Sequence, residues 1–526
     1  MMDLAAFLLP PATAMIGMRL AAFVLGQGFR EQFGFGLRFT LGLALGMLVF
    51  SQAILLTALA GFNASPILAW LAIIWGIVEL ALVLVKLPAA FKNIQFKPPH
   101  MWLLLLLPLV YSWWVFGRLS TLEGTLEFDA NVFWVFKSKI LYLEQGKNLI
   151  HVLRDVNLGY AHMDYPMLVP CLYTLNYGLV GRVDEFVNKV WPFWMMVALC
   201  AGIISAARLW KNPRPLPIAV VTLIAFLPAS LEFIRNEGGT IPMIFHTCTA
   251  ALFIVSALYS GTELAPAALV LVLAGCFSTK FEGVLFAAFT SCALFPFALQ
   301  RGWLKSRALW TSAAAAVVCI VPYLVYRLLK PVPNVESAWF HSGMAAPGAV
   351  LHRFPQIWFL DVFARFFNPT FFHWQANSEH LQWIGHWNGL SSLVNDQLAV
   401  LPWLLVALLI LSIVYKSRGR LVIGLLSAVV LVTFTFLSFV VSCLKKDDLQ
   451  SGIDFACGIV GRYYYPFFTA WFLGTAAIWF MNEKPYSQQS RPALTGEGAV
   501  RAGAPPAQGQ ADKPSVALSP RSKGRH

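Results

Sequence analysis

The segment 39–60, FTLGLALGMLVFSQAILLTALA, decides the fold class of this chain. It contains no lysine, arginine, aspartate or glutamate, and most of its side chains are aliphatic. A helix of about 20 such residues crosses the hydrocarbon core of a bilayer. The segment therefore predicts a membrane-spanning α-helix.

The composition of the whole chain extends this prediction. Of the 526 residues, 58% are hydrophobic and 12% are charged, and the mean hydropathy is +0.67. In a soluble domain about a quarter of the residues are charged. This composition therefore excludes a water-soluble fold and predicts an all-α polytopic membrane protein. We expect about thirteen spans. They are residues 4–25, 39–60, 66–85, 101–116, 186–209, 216–231, 242–259, 265–277, 283–299, 308–328, 399–414, 421–441 and 467–480.

Lysine and arginine gather in alternate loops between these spans and in the C-terminal tail. Such clusters favour the cytoplasmic side, which predicts an external N-terminus and a cytoplasmic C-terminus. The clusters also explain the formal charge of +13, so no nucleic-acid partner is expected. The predicted extracytoplasmic regions are 117–185, 232–241, 278–282, 330–398 and 444–465.

Acidic and basic side chains are interleaved with aromatic ones in EFDANVFWVFKSK, residues 127–139. The apolar spacing predicts an amphipathic helix over 130–143 that lies in the membrane interface with its apolar face in lipid. Asp129 precedes this helix, where it is either a helix cap or a catalytic carboxylate. Lys137 and Lys139 are either lysines that extend to the headgroups or ligands of an anion.

Three further groups lie in predicted outer segments. Asp164 precedes Tyr165 and Pro166, and we expect the proline to begin a helix with Asp164 as its cap or as a functional acid. Glu237 lies beside paired glycines that suit either a ligand or a tight turn. Arg462 precedes the last span and is either a phosphate ligand or an interfacial arginine.

The segment Thr279-Lys280-Phe281-Glu282-Gly283 separates two apolar runs. Ionisable residues near membrane depth are costly and usually functional, so Lys280 and Glu282 are expected to bind a ligand.

The order of these motifs resembles the GT-C superfamily of polytopic glycosyltransferases, which includes protein O-mannosyltransferases and the aminoarabinose transferases of lipid A. The resemblance covers roughly residues 101–480. It is carried by the aspartate of the first outer loop, the Asp-Tyr-Pro, the Thr-Lys-x-Glu-Gly and the late arginine. Phe128 stands where the relatives have tryptophan, and the acid of their second loop is missing, so Glu237 is the candidate substitute.

The resemblance implies three regions. They are extra N-terminal transmembrane helices at 1–100, a GT-C-like catalytic core at 101–481, and a tail at 482–526. The low-complexity composition of the tail predicts a disordered cytoplasmic segment.

The resemblance also implies a set of roles at one outer face. Asp129 is the catalytic base, and Asp164 acts with it. The donor phosphate ligands are Lys137, Lys139, Lys280 and Arg462. The substrate-positioning residues are Glu127, Tyr165, Glu237 and Glu282.

The expected function is transfer of a sugar from a polyprenyl-phosphate donor to an extracytoplasmic lipid, glycan or protein, with inversion. The expected setting is a bacterial inner membrane. A flippase or transporter for a lipid-linked glycan, a glycan polymerase or ligase, and a scaffold are the alternatives. The sequence carries no metal-ligand motif, and it leaves open whether a divalent metal takes part.

Overall fold

A computed structural model of the chain describes residues 2–26, 28–91, 130–209, 240–260, 262–333, 344–345 and 347–359, with scattered residues between 410 and 443. Every regular element within these residues is a helix. The α-helices are α1 (Met2–Leu25), α2 (Gly28–Gln32), α3 (Phe35–Leu59), α4 (Ser65–Phe91), α5 (Phe136–Leu143), α6 (Lys147–Leu153), α7 (Leu168–Val180), α8 (Val190–Leu209), α9 (Thr240–Val255), α10 (Ala265–Thr279), α11 (Phe281–Gln300), α12 (Arg307–Leu328) and α13 (Pro347–Phe359). Two π-helical segments, Ala130–Val135 and Ser256–Ser260, precede α5 and extend α9.

Six helical segments within the described residues are long and apolar enough to cross a membrane. They are Leu4–Leu25, Phe35–Leu59, Phe186–Ala206, Ile241–Leu258, Phe281–Gln300 and Arg307–Leu328. This agrees with the prediction of a helical membrane protein. The predicted spans at 66–85 and 265–277 also coincide with helices, although their apolar parts are shorter. The total of thirteen spans stays a prediction, because several of them lie outside the described residues.

Small residues bring α1 and α3 into close contact. A Cβ atom added to Gly42 would lie 2.5 Å from the carbonyl oxygen of Ala14, and one added to Gly46 would meet the carbonyl of Thr13. On α1, Gly17 faces the carbonyl of Gly42. In a bilayer, helices associate through such close packing of small residues rather than through exclusion of water. This contact fixes α1 against α3.

Helix α7 is buried along its whole length, although it lies in the predicted outer region 117–185. Its 13 residues rise about 20 Å, too little to cross a bilayer. It packs against α3, α4 and α5, and Gly178 contacts the backbone between Ser65 and Pro66 at the start of α4. The outer region therefore contributes a short internal helix to the bundle.

Hydrogen bonds between polar side chains tie α7 to the start of α8. Asn176 donates to the carbonyl of Val187 at 3.0 Å and accepts from the indole nitrogen of Trp191 at 3.2 Å. Asn188 donates to the hydroxyl of Tyr177 at 3.0 Å. All four side chains are buried, where unpaired polar groups would be costly. These bonds hold α7 in one register.

The segment 130–143 is helical, as predicted, and part of it packs inside the protein. Trp134, Val135, Ile140 and Leu141 are buried inside the protein. Ser138 accepts a hydrogen bond from Thr174 of α7 through its carbonyl, at 3.1 Å. On the predicted apolar face Ile140 is buried, whereas Leu143 is 66% exposed. Helix α7 packs on the side that carries Ser138, and contact of the predicted face with lipid stays a prediction.

Candidate functional site

Two lysine ammonium groups approach one tryptophan ring. The Nζ atom of Lys137 lies 4.9 Å from the ring centroid of Trp134 and 5.7 Å from that of Tyr165. The Nζ atom of Lys280 lies 5.8 Å from the same Trp134 ring. Trp134 stands in the π-helical turn Ala130–Val135, a deformation found frequently at functional sites. The structure thus brings together two predicted phosphate ligands from distant parts of the sequence.

Lys137 is fully buried and points into the protein. Its ammonium donates a hydrogen bond to the carbonyl of His162 at 3.1 Å. Burial lowers the pKa of Lys137 to about 7, against a smaller raising effect of the nearby Asp164 carboxylate. The expectation that Lys137 extends to the lipid headgroups is therefore excluded. The buried ammonium changes protonation near neutral pH.

His162, whose carbonyl accepts the Lys137 bond, packs among aromatic rings. Its backbone is left-handed, with φ of 50°, a conformation that costs energy in a residue with a side chain. Its ring packs 4.1 Å from Phe133 and 4.7 Å from Tyr165, centroid to centroid. Burial, reinforced by the charges of Lys137 and Lys280, lowers the pKa of His162 to about 3. The ring is therefore neutral at physiological pH and adds no charge to the site.

Asp164 is held from α12. The Nη1 atom of Arg327 donates to the Asp164 carbonyl at 2.6 Å and lies 3.5 Å from the carboxylate Oδ2. The hydroxyl of Tyr323 lies 3.4 Å from the same carbonyl, and Tyr326 donates to the carbonyl of Met163. Helix α7 begins at Leu168 with Met167 as its cap, without a side-chain cap bond. The alternative in which Asp164 caps this helix was wrong, and Pro166 does not begin it, because residues 165–167 are irregular and the helix starts only at Leu168.

Lys280 and Glu282 occupy the junction of α10 and α11. Lys280 is extended, with φ −148° and ψ 164°, and separates the two helices. Glu282 stands in the first turn of α11 and is only 4% exposed. Its Oε2 atom has no hydrogen-bond partner within the described part of the chain. An unpaired buried carboxylate oxygen is costly, which marks Glu282 as a group that can accept a bond from a ligand.

Lys139 stands apart from Lys137 and Lys280. Its ammonium forms an ion pair with Glu185 at 2.5 Å, and both side chains are partly exposed. The pair joins α5 to the turn before α8. Lys139 therefore has an acidic partner of its own.

Four predicted site residues lie outside the described residues: Glu127, Asp129, Glu237 and Arg462. Asp129 directly precedes Ala130, where the π-helical turn that carries Trp134 begins.

Sequence reasoning missed Arg327, Tyr323 and Tyr326. One signal was available for Arg327, since it ends a span on the side predicted to be extracytoplasmic, where arginine is disfavoured. An arginine that opposes this bias has a specific partner, which here is Asp164. No comparable signal existed for the tyrosines, whose sequence positions match any membrane-interface aromatic residue.

The described groups combine cations, acids and aromatic rings at one place. Lys137, Lys280 and Arg327 provide positive charge, and Asp164 and Glu282 provide carboxylates. Among the residues that the structure describes, no group of three or more His, Cys, Asp or Glu could hold a metal ion. Comparisons with family models, with curated proteins and with solved structures found no match to this chain.

Proposed function

We propose that the protein is a membrane glycosyltransferase that moves a sugar from a polyprenyl-phosphate donor to an extracytoplasmic acceptor. The observation that carries this proposal is the approach of Lys137 and Lys280 to the Trp134 ring beside Asp164. Paired cations in a poorly hydrated place attract a phosphate strongly, because the local dielectric is low. Membrane helices at this place suit a donor whose tail remains in lipid.

Lys280 and Lys137 have different parts in the proposed site. Lys280 is partly exposed at the helix junction, so its ammonium can contact the donor phosphate directly. Lys137 is fully buried and, in its protonated form, acts through its field, which water screens little there. Arg462, and Lys139 more remotely, would add further positive charge. Together they would neutralise the negative charge that the leaving phosphate gains.

Asp129 is the proposed base. Its carboxylate would take the proton of the acceptor hydroxyl while that oxygen bonds to the anomeric carbon. The bond from the anomeric carbon to the phosphate oxygen breaks in the same displacement, and polyprenyl phosphate leaves with the electron pair. A single displacement inverts the anomeric centre.

The remaining carboxylates and Tyr165 are proposed to position the substrates. Asp164 is suited to this because Arg327 holds its backbone and faces its carboxylate. Glu282 offers an acceptor oxygen to a sugar hydroxyl. Glu127 and Glu237 are proposed to complete the acceptor side.

The test is transfer from a polyprenyl-phosphate hexose in proteoliposomes, followed by mass spectrometry of released polyprenyl phosphate and of glycosylated lipid acceptors. Asp129→Asn should abolish release, with a loss of at least about a hundredfold expected for removal of a general base. Asp155→Asn is the matched control, because Asn can keep the bond that Asp155 accepts from the backbone of Asn157 at 2.9 Å.

Full activity of Asp129→Asn, with normal amounts of protein in the membrane, would remove Asp129 from its role. Movement of the intact donor across the vesicle bilayer without release of polyprenyl phosphate would instead favour a flippase.

A further inference from the structure

A cavity of about 190 Å³ lies between helices α1, α2, α3 and α4, remote in sequence from the proposed catalytic residues. Three arginines and one glutamate line it: Arg19, Arg30, Arg38 and Glu79. Apolar side chains, among them Met18 and Phe35, form the rest of its wall. The volume equals roughly six water molecules, which suits a phosphate headgroup but not a whole lipid.

Glu79 is the one acid among the described residues that line this cavity, and it already has a partner. Arg19 donates to Glu79 through two atoms, Nε to Oε1 at 2.7 Å and Nη2 to Oε2 at 2.8 Å. This two-point geometry is the strongest form of a carboxylate pair and satisfies both oxygens. The positive charges of Arg30 and Arg38 are therefore left without an acidic partner among the residues that line the cavity.

Arg38 carries an unsatisfied donor. Its Nε atom is buried and has no hydrogen-bond partner within the residues that the structure describes. Arg30 lies close enough for the two like charges to repel each other. A buried guanidinium donor without an acceptor is costly, and a neighbouring like charge adds to the cost. An anion in the cavity would relieve both.

The position of the cavity indicates where such an anion comes from. Arg30 and Arg38 follow the first span, which ends at Leu25, on the side that the lysine and arginine pattern predicts to be cytoplasmic. Phospholipid phosphates lie at this level of a bilayer, and the cytoplasmic leaflet of many membranes is anionic. The apolar wall is suited to the first part of an acyl chain.

We propose that this cavity binds the phosphate group of an anionic phospholipid headgroup, with Arg30 and Arg38 as its ligands. The planar guanidinium groups can each offer two donors to the phosphate oxygens. This site is independent of the proposed glycosyltransferase site, and it gives helices α1–α4 a role in lipid recognition.

The test uses the full-length protein in detergent and in nanodiscs. Native mass spectrometry measures phosphatidylglycerol that stays bound to the wild type, to Arg30→Gln/Arg38→Gln and to the control Lys305→Gln/Arg307→Gln. The control removes the same charge from the same predicted face outside the cavity. We expect at least about tenfold weaker retention in the Arg30/Arg38 variant, near wild-type retention in the control, and no retention of phosphatidylcholine.

Equal loss in both double variants would overturn the proposal, because it would mean that bulk charge alone attracts the lipid. Retention of phosphatidylcholine as strong as that of phosphatidylglycerol would also overturn it. Inorganic phosphate tests the other source of the same anion. If millimolar phosphate displaces phosphatidylglycerol completely and raises the melting temperature as much as the lipid does, the assignment to a phospholipid headgroup is wrong. The free anion is then the ligand.

Arg30→Lys/Arg38→Lys keeps the charge and removes the two-donor geometry, so it tests the proposal if the glutamine variant fails to fold. We expect the lysine variant to retain less phosphatidylglycerol than the wild type and more than the glutamine variant. If the glutamine variant does not fold, a delipidated blank gives the lower reference. Retention equal to that of the wild type would contradict the assignment of the guanidinium groups as ligands.

Discussion

Replacing Lys137 by methionine should change how stability depends on pH. The buried ammonium has a pKa of about 7 in the folded protein, against 10.5 for an ordinary lysine. Between these values the unfolded chain binds more protons than the folded protein, so raising the pH stabilises the fold. Below pH 7 both states carry the proton, and the full cost of burying the charge remains.

The size of the effect follows from this difference. The free energy of unfolding rises by about 1.4 kcal/mol per pH unit well above pH 7. Between pH 7 and pH 9 it rises by about 2 kcal/mol in total. Methionine has no proton to lose, so Lys137→Met should lack this rise and be more stable than the wild type at pH 7. The loss of the hydrogen bond to His162 offsets about 1 kcal/mol of that gain.

Thermal unfolding in one detergent at pH 6, 7, 8 and 9 measures the effect. The melting temperature of the wild type should rise by a few degrees above pH 7 relative to Lys137→Met. Lys147→Met, at an exposed position of α6, should retain the slope of the wild type. Parallel curves for the wild type and Lys137→Met would refute the inference that burial of this ammonium depresses its pKa.

Two other substitutions test the fold and the site. Gly42→Ala should destabilise the protein by about 1–3 kcal/mol, because its Cβ would lie 2.5 Å from the carbonyl oxygen of Ala14. Melting curves compare it with the control Gly348→Ala, whose added atom meets nothing within 4 Å. Equal melting temperatures of the two variants would contradict the close α1–α3 contact. Arg327→Met should lower the rate of sugar transfer by about tenfold or more, because Asp164 loses its 2.6 Å bond and its charged neighbour. The control is Arg353→Met, since the Arg353 side chain bonds only within its own helix in the contacts described. Unchanged sugar transfer in Arg327→Met would show that Asp164 needs no such support.

The helical membrane character followed from the sequence because hydropathy alone specifies it. A charge-free apolar run such as 39–60 can satisfy its backbone in a bilayer only as a helix or a barrel strand, and its length selects the helix. The boundary between α10 and α11 was predicted closely as well, because Lys280 and Glu282 interrupt two apolar runs. The likeness of the site to a glycosyltransferase remains a hypothesis that rests on motif order.

The sequence by itself determined where charge is scarce, which segments form helices and which rare ionisable residues merit attention. Tertiary structure alone decided that Lys137 turns inward, that α7 is internal and that Arg327 meets Asp164. It also decided that Arg30 and Arg38 share a cavity in which the one acid among the described lining residues, Glu79, is bound to Arg19. The physical reason is that periodicity identifies the face of a helix, whereas burial and pKa depend on which other helix covers that face.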